Sequence, residues 1–197
     1  MRKLAFACAA AAALLATAAP APAQVLTPTF QSTRRGSDIG LYLSDGPGDL
    51  AIEGIWRRGF GTGDLGLRAG FADLGDGSLL VGADWRQPLA LGTQPVDLAL
   101  TFGGQAALGD VDGIGAQVGL DFGHTFVQPG VTITPYIHPR LAIVSALNDH
   151  NDDTNDTELD VLADIGADFD FAPNLSLRLG INLGDGADWG IGLAWRR

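Results

Sequence analysis

The sequence predicts an all-β chain that forms a closed, antiparallel transmembrane barrel of ten strands. Three observations predict it. Large apolar residues alternate with small or polar residues along most of the chain, the smaller face is rich in glycine, and the alternating segments are long. Because successive side chains of a strand point to opposite faces, this alternation produces one apolar and one polar face. Eight strands remain the alternative count if the first segment and one other do not pair.

The alternation is clearest in residues 188–197, where large residues at every second position are separated by glycine or alanine. The large residues there are Trp189, Ile191, Leu193 and Trp195. A soluble sheet would bury such a face in a core, whereas a membrane barrel turns it towards lipid.

Nine earlier segments repeat this pattern and are bounded by Gly, Asp, Pro or Asn turns. They are residues 38–44, 49–58, 64–74, 78–87, 95–105, 113–127, 131–146, 157–170 and 174–184. In each segment the large apolar residues occupy alternate positions and therefore share one face, which we call the outward parity. We predict that one such residue near the middle of each of eight strands faces lipid: Leu67, Val81, Leu100, Val118, Ile137, Val161, Leu179 and Ile191.

Two features favour the membrane over a soluble sheet. Many segments exceed the usual strand length of about five or six residues and match the roughly 9–11 residues that cross a bilayer at a tilt. In addition, glycine rather than Lys, Thr or Glu dominates the polar face, which indicates a crowded interior rather than a solvated surface.

The first 23 residues have the features of a signal peptide. Arg2 and Lys3 precede an apolar stretch over residues 4–19, and Ala21-Pro22-Ala23 fits the small-x-small cleavage rule. The stretch is too short, and too closely followed by proline, for a transmembrane helix. We expect residues 24–35 to form a periplasmic lead-in and residues 36–197 to form the barrel.

Charge and cysteine content exclude several classes of protein. The single cysteine, Cys8, lies in the predicted signal peptide, so the processed chain has no disulfide and no thiol nucleophile. The net charge of −11 repels nucleic acid, which excludes a protein that binds the phosphate backbone.

Charged residues of both signs have inward parity and form the principal candidate site. They are Glu53, Arg57, Arg68, Asp84, Arg86, Asp97, Asp121, Arg140, Asp160, Asp164 and Arg178. Unpaired buried charges are costly, so we expect a salt-bridged network that fills a narrow lumen. The alternative is a charge-lined pore for small solutes.

Four tryptophans have outward parity near strand ends: Trp56, Trp85, Trp189 and Trp195. The indole ring is apolar but carries one N–H donor, so it prefers the headgroup region. We therefore expect these tryptophans at the two membrane interfaces.

The connections between segments fall into two classes by alternate order. The odd-numbered connections all contain aspartate, whereas the even-numbered ones contain no acid, and a periplasmic N-terminus would place the acidic set outside the cell. The longest, residues 148–156, offers candidate ligands for calcium or magnesium in Asp149, Asp152, Asp153 and Asp156. The alternative is a solvated surface loop, and no other cofactor is expected.

Catalysis is not expected. An enzyme barrel would need a nucleophile beside a histidine and an orienting acid. His138 faces inward, but Ser145 has the opposite parity, and no phosphate-binding loop or other catalytic fingerprint is present.

From the signal peptide and the pattern over residues 36–197, the chain resembles the small outer-membrane β-barrel proteins of Gram-negative bacteria. This porin-like group includes OmpA-, OmpX- and OmpW-type barrels. The resemblance implies a location in the outer membrane, contact with its lipid and lipopolysaccharide, and the barrel-assembly machinery as a partner during biogenesis. The chain departs from the group in that Arg196 and Arg197 follow Trp195 at its end.

The sequence thus predicts a structural or weakly permeable outer-membrane barrel with an acidic extracellular rim. A secreted soluble β-barrel or sandwich that binds a small hydrophobic ligand is the alternative from a different class. An outer-membrane hydrolase is the third and least favoured possibility.

Overall fold

The computed structural model describes residues 26–34, 36–46, 50–72, 77–90, 96–109, 112–147, 157–184 and 187–196. The strands are β1 (Asp38–Asp45), β2 (Leu50–Phe60), β3 (Gly63–Ala72), β4 (Ser78–Leu89), β5 (Asp97–Leu108), β6 (Gly113–Gly123), β7 (Phe126–Gln128), β8 (Val131–Ala146), β9 (Thr157–Ala172), β10 (Leu175–Leu183) and β11 (Ala187–Arg196). Within these residues, the structure contains no helix long and apolar enough to cross a membrane.

Ten long strands form a closed antiparallel ring. Strands β1 to β6 pair in chain order. Strand β6 then pairs with β8, and β8 to β11 again pair in chain order. The ring closes where β1 pairs with both β2 and β11, so that Ile39 lies opposite Trp56 on one side and Trp195 on the other. The predicted ten-stranded barrel is confirmed, and the eight-stranded alternative is wrong because the first segment pairs fully.

The sixth predicted segment, residues 113–127, is not one continuous strand. It divides into β6 and the three-residue β7, and both of them pair with β8. The ladder between β6 and β8 is also interrupted between the pairs Gly119–Arg140 and Phe122–Ile137. Pro139 lies in this gap, and proline has no N–H to donate to a neighbouring strand.

The apolar face lies on the outside of the barrel. Of the eight central residues predicted to face outward, all but Leu100 are among the exposed large hydrophobic residues, and Leu100 is half-buried. The inward positions carry the buried charged residues instead. This arrangement is the reverse of a soluble barrel, so the soluble alternative is wrong, and the apolar exterior requires lipid around it.

The barrel has two distinct ends. Residues 61–62, 90–96, 129–130 and 173–174 connect strands at one end, which we call the turn end. Residues 46–49, 73–77, 109–112, 147–156 and 184–186 connect strands at the other, which we call the loop end.

Residues 26–34, which we call the strap, run through the lumen. Leu26 packs beside Leu80 and Val144 near the loop end, whereas Arg34 pairs with Asp170 near the turn end. Nine extended residues can cover about 30 Å, which is comparable with the roughly 25 Å apolar band of such barrels. The expectation of a periplasmic lead-in is therefore wrong for residues 26–34, because their polar groups find partners on the lumen wall.

Glycines on the lumen wall make room for the strap. A Cβ at Gly190 would overlap the ring of Phe30, and a Cβ at Gly115 would lie 3.0 Å from the side chain of Leu26. Phe30 itself has a φ of 49°, which is uncommon for a residue with a side chain. Its ring also packs against Tyr42, with ring centres 4.6 Å apart.

The outward assignment predicts the effect of placing a charge on the lipid face. Val118 lies at the middle of β6 and faces outward. The change Val118→Arg should lower the free energy of unfolding by about 2–4 kcal/mol in lipid vesicles, because the guanidinium would lie near the bilayer midplane. Urea titration of the refolded protein measures this change.

A second arginine substitution, near the membrane interface, tests whether the loss of stability depends on depth in the bilayer rather than on arginine itself. Val127, at the turn end, has an exposed fraction of 76%. Val127→Arg should cost only about 0–1 kcal/mol, because residues near the interface tolerate charge. Equal effects at the two positions would contradict the assignment of the outer face to lipid.

Candidate functional site

The lumen brings together most of the predicted charged residues. Glu53, Arg57, Arg68, Asp84, Arg86, Asp121, Arg140, Asp164 and Arg178 are buried there. Asp160 is only half-buried. Asp97 is exposed at the start of β5, so its placement in the network is wrong; its parity is inward, but its position at the strand end leaves it in solvent.

The pair Glu53 and Arg68 anchors the strap on the loop-end side. Two parallel hydrogen bonds join them, from Nε to Oε1 at 2.9 Å and from Nη2 to Oε2 at 2.5 Å. The Thr27 hydroxyl donates to Glu53 at 2.9 Å and accepts from Arg68 at 2.5 Å. Arg68 also donates to the backbone carbonyl of Pro28 at 3.2 Å. A bidentate pair therefore holds both a side chain and the backbone of the strap.

Asp164 and His138 hold the strap in its middle. The Thr29 hydroxyl donates to Asp164 at 2.6 Å and lies 3.1 Å from His138 Nδ1. Arg140 pairs with the same carboxylate at 3.1 Å. Two groups, one from β8 and one from β9, thus converge on one threonine of the strap, and Arg140 is paired with one of them.

Next along the strap, contacts to β4 hold it towards the turn end. The Gln31 amide donates to Asp84 at 2.5 Å, and the guanidinium of Arg86 donates to the backbone carbonyl of Ser32. Arg86 in turn pairs with Asp64 at 2.6 Å. The strap therefore supplies both donors and acceptors to the wall.

The last part of the network joins β1, β9 and β10. Arg178 pairs with Asp38 at 2.7 Å and with Asp168 at 3.4 Å, and donates to the Tyr42 hydroxyl at 2.6 Å. Ser32 of the strap donates to Asp168 at 2.6 Å. One guanidinium thus satisfies two carboxylates and a phenol.

Asp121 stands apart from these pairs. Its side chain is fully buried on β6, and neither carboxylate oxygen has a hydrogen-bond partner among the residues that the structure describes. Its register places it beside Ala99 of β5, which offers no polar group. Asp121 lies in the lumen as predicted, but the described residues give it no partner.

Several residues of the network were absent from the prediction: Asp38, Asp64, Asp170, Arg34 and Arg196, together with the polar side chains of the strap. Asp168 follows Asp160 and Asp164 at a spacing of four, so the sequence assigns it to the inward face, although the predicted network did not include it. The strap also carried a signal. Hydrogen-bonding side chains recur at every second position from Thr27 to Thr33 without any charge.

The four tryptophans lie on the outside of the barrel. Trp56, Trp189 and Trp195 are exposed, and half-buried Trp85 packs edge-on against Phe60 with ring centres 6.2 Å apart. Trp189 lies at the loop end, whereas the other three lie nearer the turn end. Their contact with the membrane interfaces stays a prediction.

One series of groups resembles a hydrolytic triad in outline. His138 Nε2 lies 2.7 Å from the Thr101 hydroxyl, and His138 Nδ1 lies 3.4 Å from Asp164. All three residues are at least 97% buried, and the strap contacts two of them. Ser145, by contrast, bonds to Thr157 and does not meet His138. With the strap in place no substrate can reach this hydroxyl.

The predicted metal ligands Asp149, Asp152, Asp153 and Asp156 lie outside the described residues. Within the described part of the chain, no group of three His, Cys, Asp or Glu residues could hold a metal ion.

No family model matches the chain, and no curated protein matches it. Among solved structures, it is similar to the KdgM porin in complex with disordered oligogalacturonate, with 9% identity, a TM-score of 0.46, and coverage of 83% of this chain and 99% of that chain. It is similar to the N-terminal β-barrel domain of Pseudomonas aeruginosa OprF, with 20% identity, a TM-score of 0.36, and coverage of 83% and 100%. It is also similar to Ail of Yersinia pestis, with 15% identity, a TM-score of 0.34, and coverage of 82% and 97%. These neighbours are outer-membrane β-barrel proteins, and at such identities the likeness extends to the fold alone.

Breaking one partner of the lumen network should destabilise the barrel strongly. Glu53→Gln leaves Arg68 buried without its carboxylate, which should cost about 3–5 kcal/mol of unfolding free energy. Removing both charges with Glu53→Gln and Arg68→Met should cost less than the sum of the single changes, because each single change leaves a lone buried charge whereas the double variant leaves neither charge of the pair.

Urea unfolding of the vesicle-embedded protein, monitored by tryptophan fluorescence, measures these changes. Arg58→Gln provides the control, because Arg58 is exposed at the turn end and its loss should change stability by no more than about 0.5 kcal/mol. A Glu53→Gln variant as stable as the Arg58→Gln control would refute the buried pair.

Proposed function

We propose that the protein is an outer-membrane barrel with a structural role, and that its own strap closes the lumen so that small solutes pass weakly or not at all. The proposal includes export by a cleaved signal over residues 1–23. It also includes outer-membrane lipid and lipopolysaccharide as surroundings and the barrel-assembly machinery as a partner during folding.

The distribution of apolar and charged residues supports the membrane part of the proposal. Exposed residues such as Leu41, Leu159 and Val161 cover the outside of a closed ring of strands. Because closure leaves no unpaired strand edge among the long strands, the backbone is satisfied without water and can tolerate hydrocarbon.

One observation carries the closed-lumen part of the proposal. All residues from Leu26 to Thr33 are buried, and none of them other than Pro28 has an exposed fraction above 7%. These residues bond to side chains on β2, β3, β4, β5, β8 and β9. A solute would have to displace the strap and break several charge-assisted hydrogen bonds, so the filled lumen favours a structural role over an open, charge-lined pore.

Displacing the strap should therefore open the barrel. Phe30→Asp places a carboxylate against the buried side chains of Tyr42 and Ile55, which should expel the strap because the new charge has no partner there. We expect discrete channel steps for this variant in planar bilayers and none of that size for the wild type. Phe30→Leu keeps an apolar side chain and should behave like the wild type.

A reversible lock tests whether the strap itself causes the change. The Thr33 hydroxyl lies 2.6 Å from the position of a Cβ at Gly123, so a Thr33→Cys and Gly123→Cys pair is close enough to form a disulfide. Added to Phe30→Asp, the oxidised pair should suppress the channel steps, and reduction should restore them. A large, steady conductance of the wild type would overturn the closed barrel in favour of a porin.

The acidic loop-end connections lead to a separate prediction. Negative loops beside anionic lipid should repel it unless cations bridge the two. Millimolar calcium should therefore raise the thermal stability of the wild type, and should do so less after Asp149, Asp152, Asp153 and Asp156 are changed to asparagine. Thermal stability is measured by the heat-dependent change in gel mobility. An equal calcium-induced change in the wild type and in the asparagine variant would contradict cation binding by this loop.

A further inference from the structure

A polar pocket opens at the turn end, where the strap leaves the lumen. It has a volume of about 280 Å³ and lies between the β7–β8 turn and the β9–β10 turn. The polar side chains that line it are Arg34, Arg196, Asp170, Thr132 and Gln128. It is separate from the middle of the lumen, where the strap fills the available space.

Two guanidinium groups share one carboxylate in this pocket. Arg34 pairs with one oxygen of Asp170, and Arg196 pairs with the other at 2.7 Å. Ser176 also donates to Asp170, so both carboxylate oxygens are engaged. Among the residues that the structure describes, neither arginine has a second carboxylate within ion-pair distance.

The unused donors of these arginines can be reached from solvent. The Arg34 side chain is 35% exposed and that of Arg196 is 16% exposed. Each guanidinium carries five N–H donors, of which the pair with Asp170 uses a minority. The site therefore has one more positive charge than Asp170 balances, and N–H donors that Asp170 does not use, although the chain as a whole is acidic.

We infer that this pocket binds a phosphate group, held by the guanidinium groups of Arg34 and Arg196 with the Thr132 hydroxyl as a further donor. Arginine matches the geometry of phosphate oxygens with paired N–H donors, and Asp170 sets the spacing of the two guanidinium groups. Phe171 lines the same pocket and is exposed, and exposed Val127 adjoins Gln128 in the chain. The phosphate can therefore come from free phosphate or from the headgroup of a phospholipid whose chains lie on the outer face.

Titration with inorganic phosphate tests the site in the full-length protein. The protein is placed in nanodiscs of a phosphate-free glycolipid, and binding is followed by phosphorus NMR. We expect saturable binding by the wild type and affinity about tenfold lower in Arg196→Gln, since one charge-assisted contact is lost. Arg34→Gln should weaken binding similarly.

Two control variants test whether phosphate binding depends on this pocket rather than on any positive charge at the turn end. Arg58→Gln removes an exposed arginine from the same end of the barrel, outside the pocket, and should bind phosphate like the wild type. Arg196→Lys keeps the charge and should retain more affinity than Arg196→Gln. The ion pair of Arg196 is with Asp170 of the wall and not with a residue of the strap, so its variants test the site without removing an ion pair of the strap.

The source of the phosphate is distinguished by repeating the titration in phosphatidylglycerol nanodiscs. If a lipid headgroup occupies the pocket, the binding of inorganic phosphate should be lost there; if free phosphate is the ligand, it should be unchanged. Either result supports the site. Absence of saturable binding in glycolipid nanodiscs, or equal binding by wild type, Arg34→Gln and Arg196→Gln, would overturn it. These outcomes do not depend on whether the lumen conducts.

Discussion

A charged group inside a closed barrel is costly unless it has a partner, because it cannot be hydrated as it would be in bulk water. This requirement organises the interior of the protein. Carboxylates on β1, β2, β3, β4 and β9 pair with arginines around the ring, and pairs such as Glu53 with Arg68 link neighbouring strands. The wall alone does not complete these pairs, since Thr27, Thr29 and Ser32 of the strap also donate to its carboxylates.

The strap is therefore part of the folded interior rather than an appendage. Its removal would leave Asp164 without the Thr29 hydroxyl, and the loss of Phe30 would expose the buried ring of Tyr42 to an empty channel. Packing and hydrogen bonding act together here: the glycines of β11 make room for the rings, and arginines of β2, β3 and β4 donate to backbone carbonyls of the strap.

Period-two alternation was enough to predict the barrel, the strand number and the direction of each face, because a strand leaves only two sides to choose between. Parity does not give depth, which is why Asp97 was assigned to the lumen although it is exposed at a strand end. The strap escaped prediction because residues 26–34 carry no apolar alternation, and their partners lie as many as 136 residues away in the chain. The partner of each buried charge depends on the register between strands, which no local pattern contains.

The occupancy of the lumen by the strap is tested most directly by thiol accessibility in the vesicle-embedded protein. A cysteine in place of Thr29 should react with a membrane-impermeant maleimide only after the barrel is unfolded, because Thr29 is 1% exposed. A cysteine in place of Thr62, exposed in the β2–β3 turn, should react without unfolding when that end faces the reagent. If Thr29→Cys reacts in the folded barrel as fast as Thr62→Cys, the strap does not occupy the lumen.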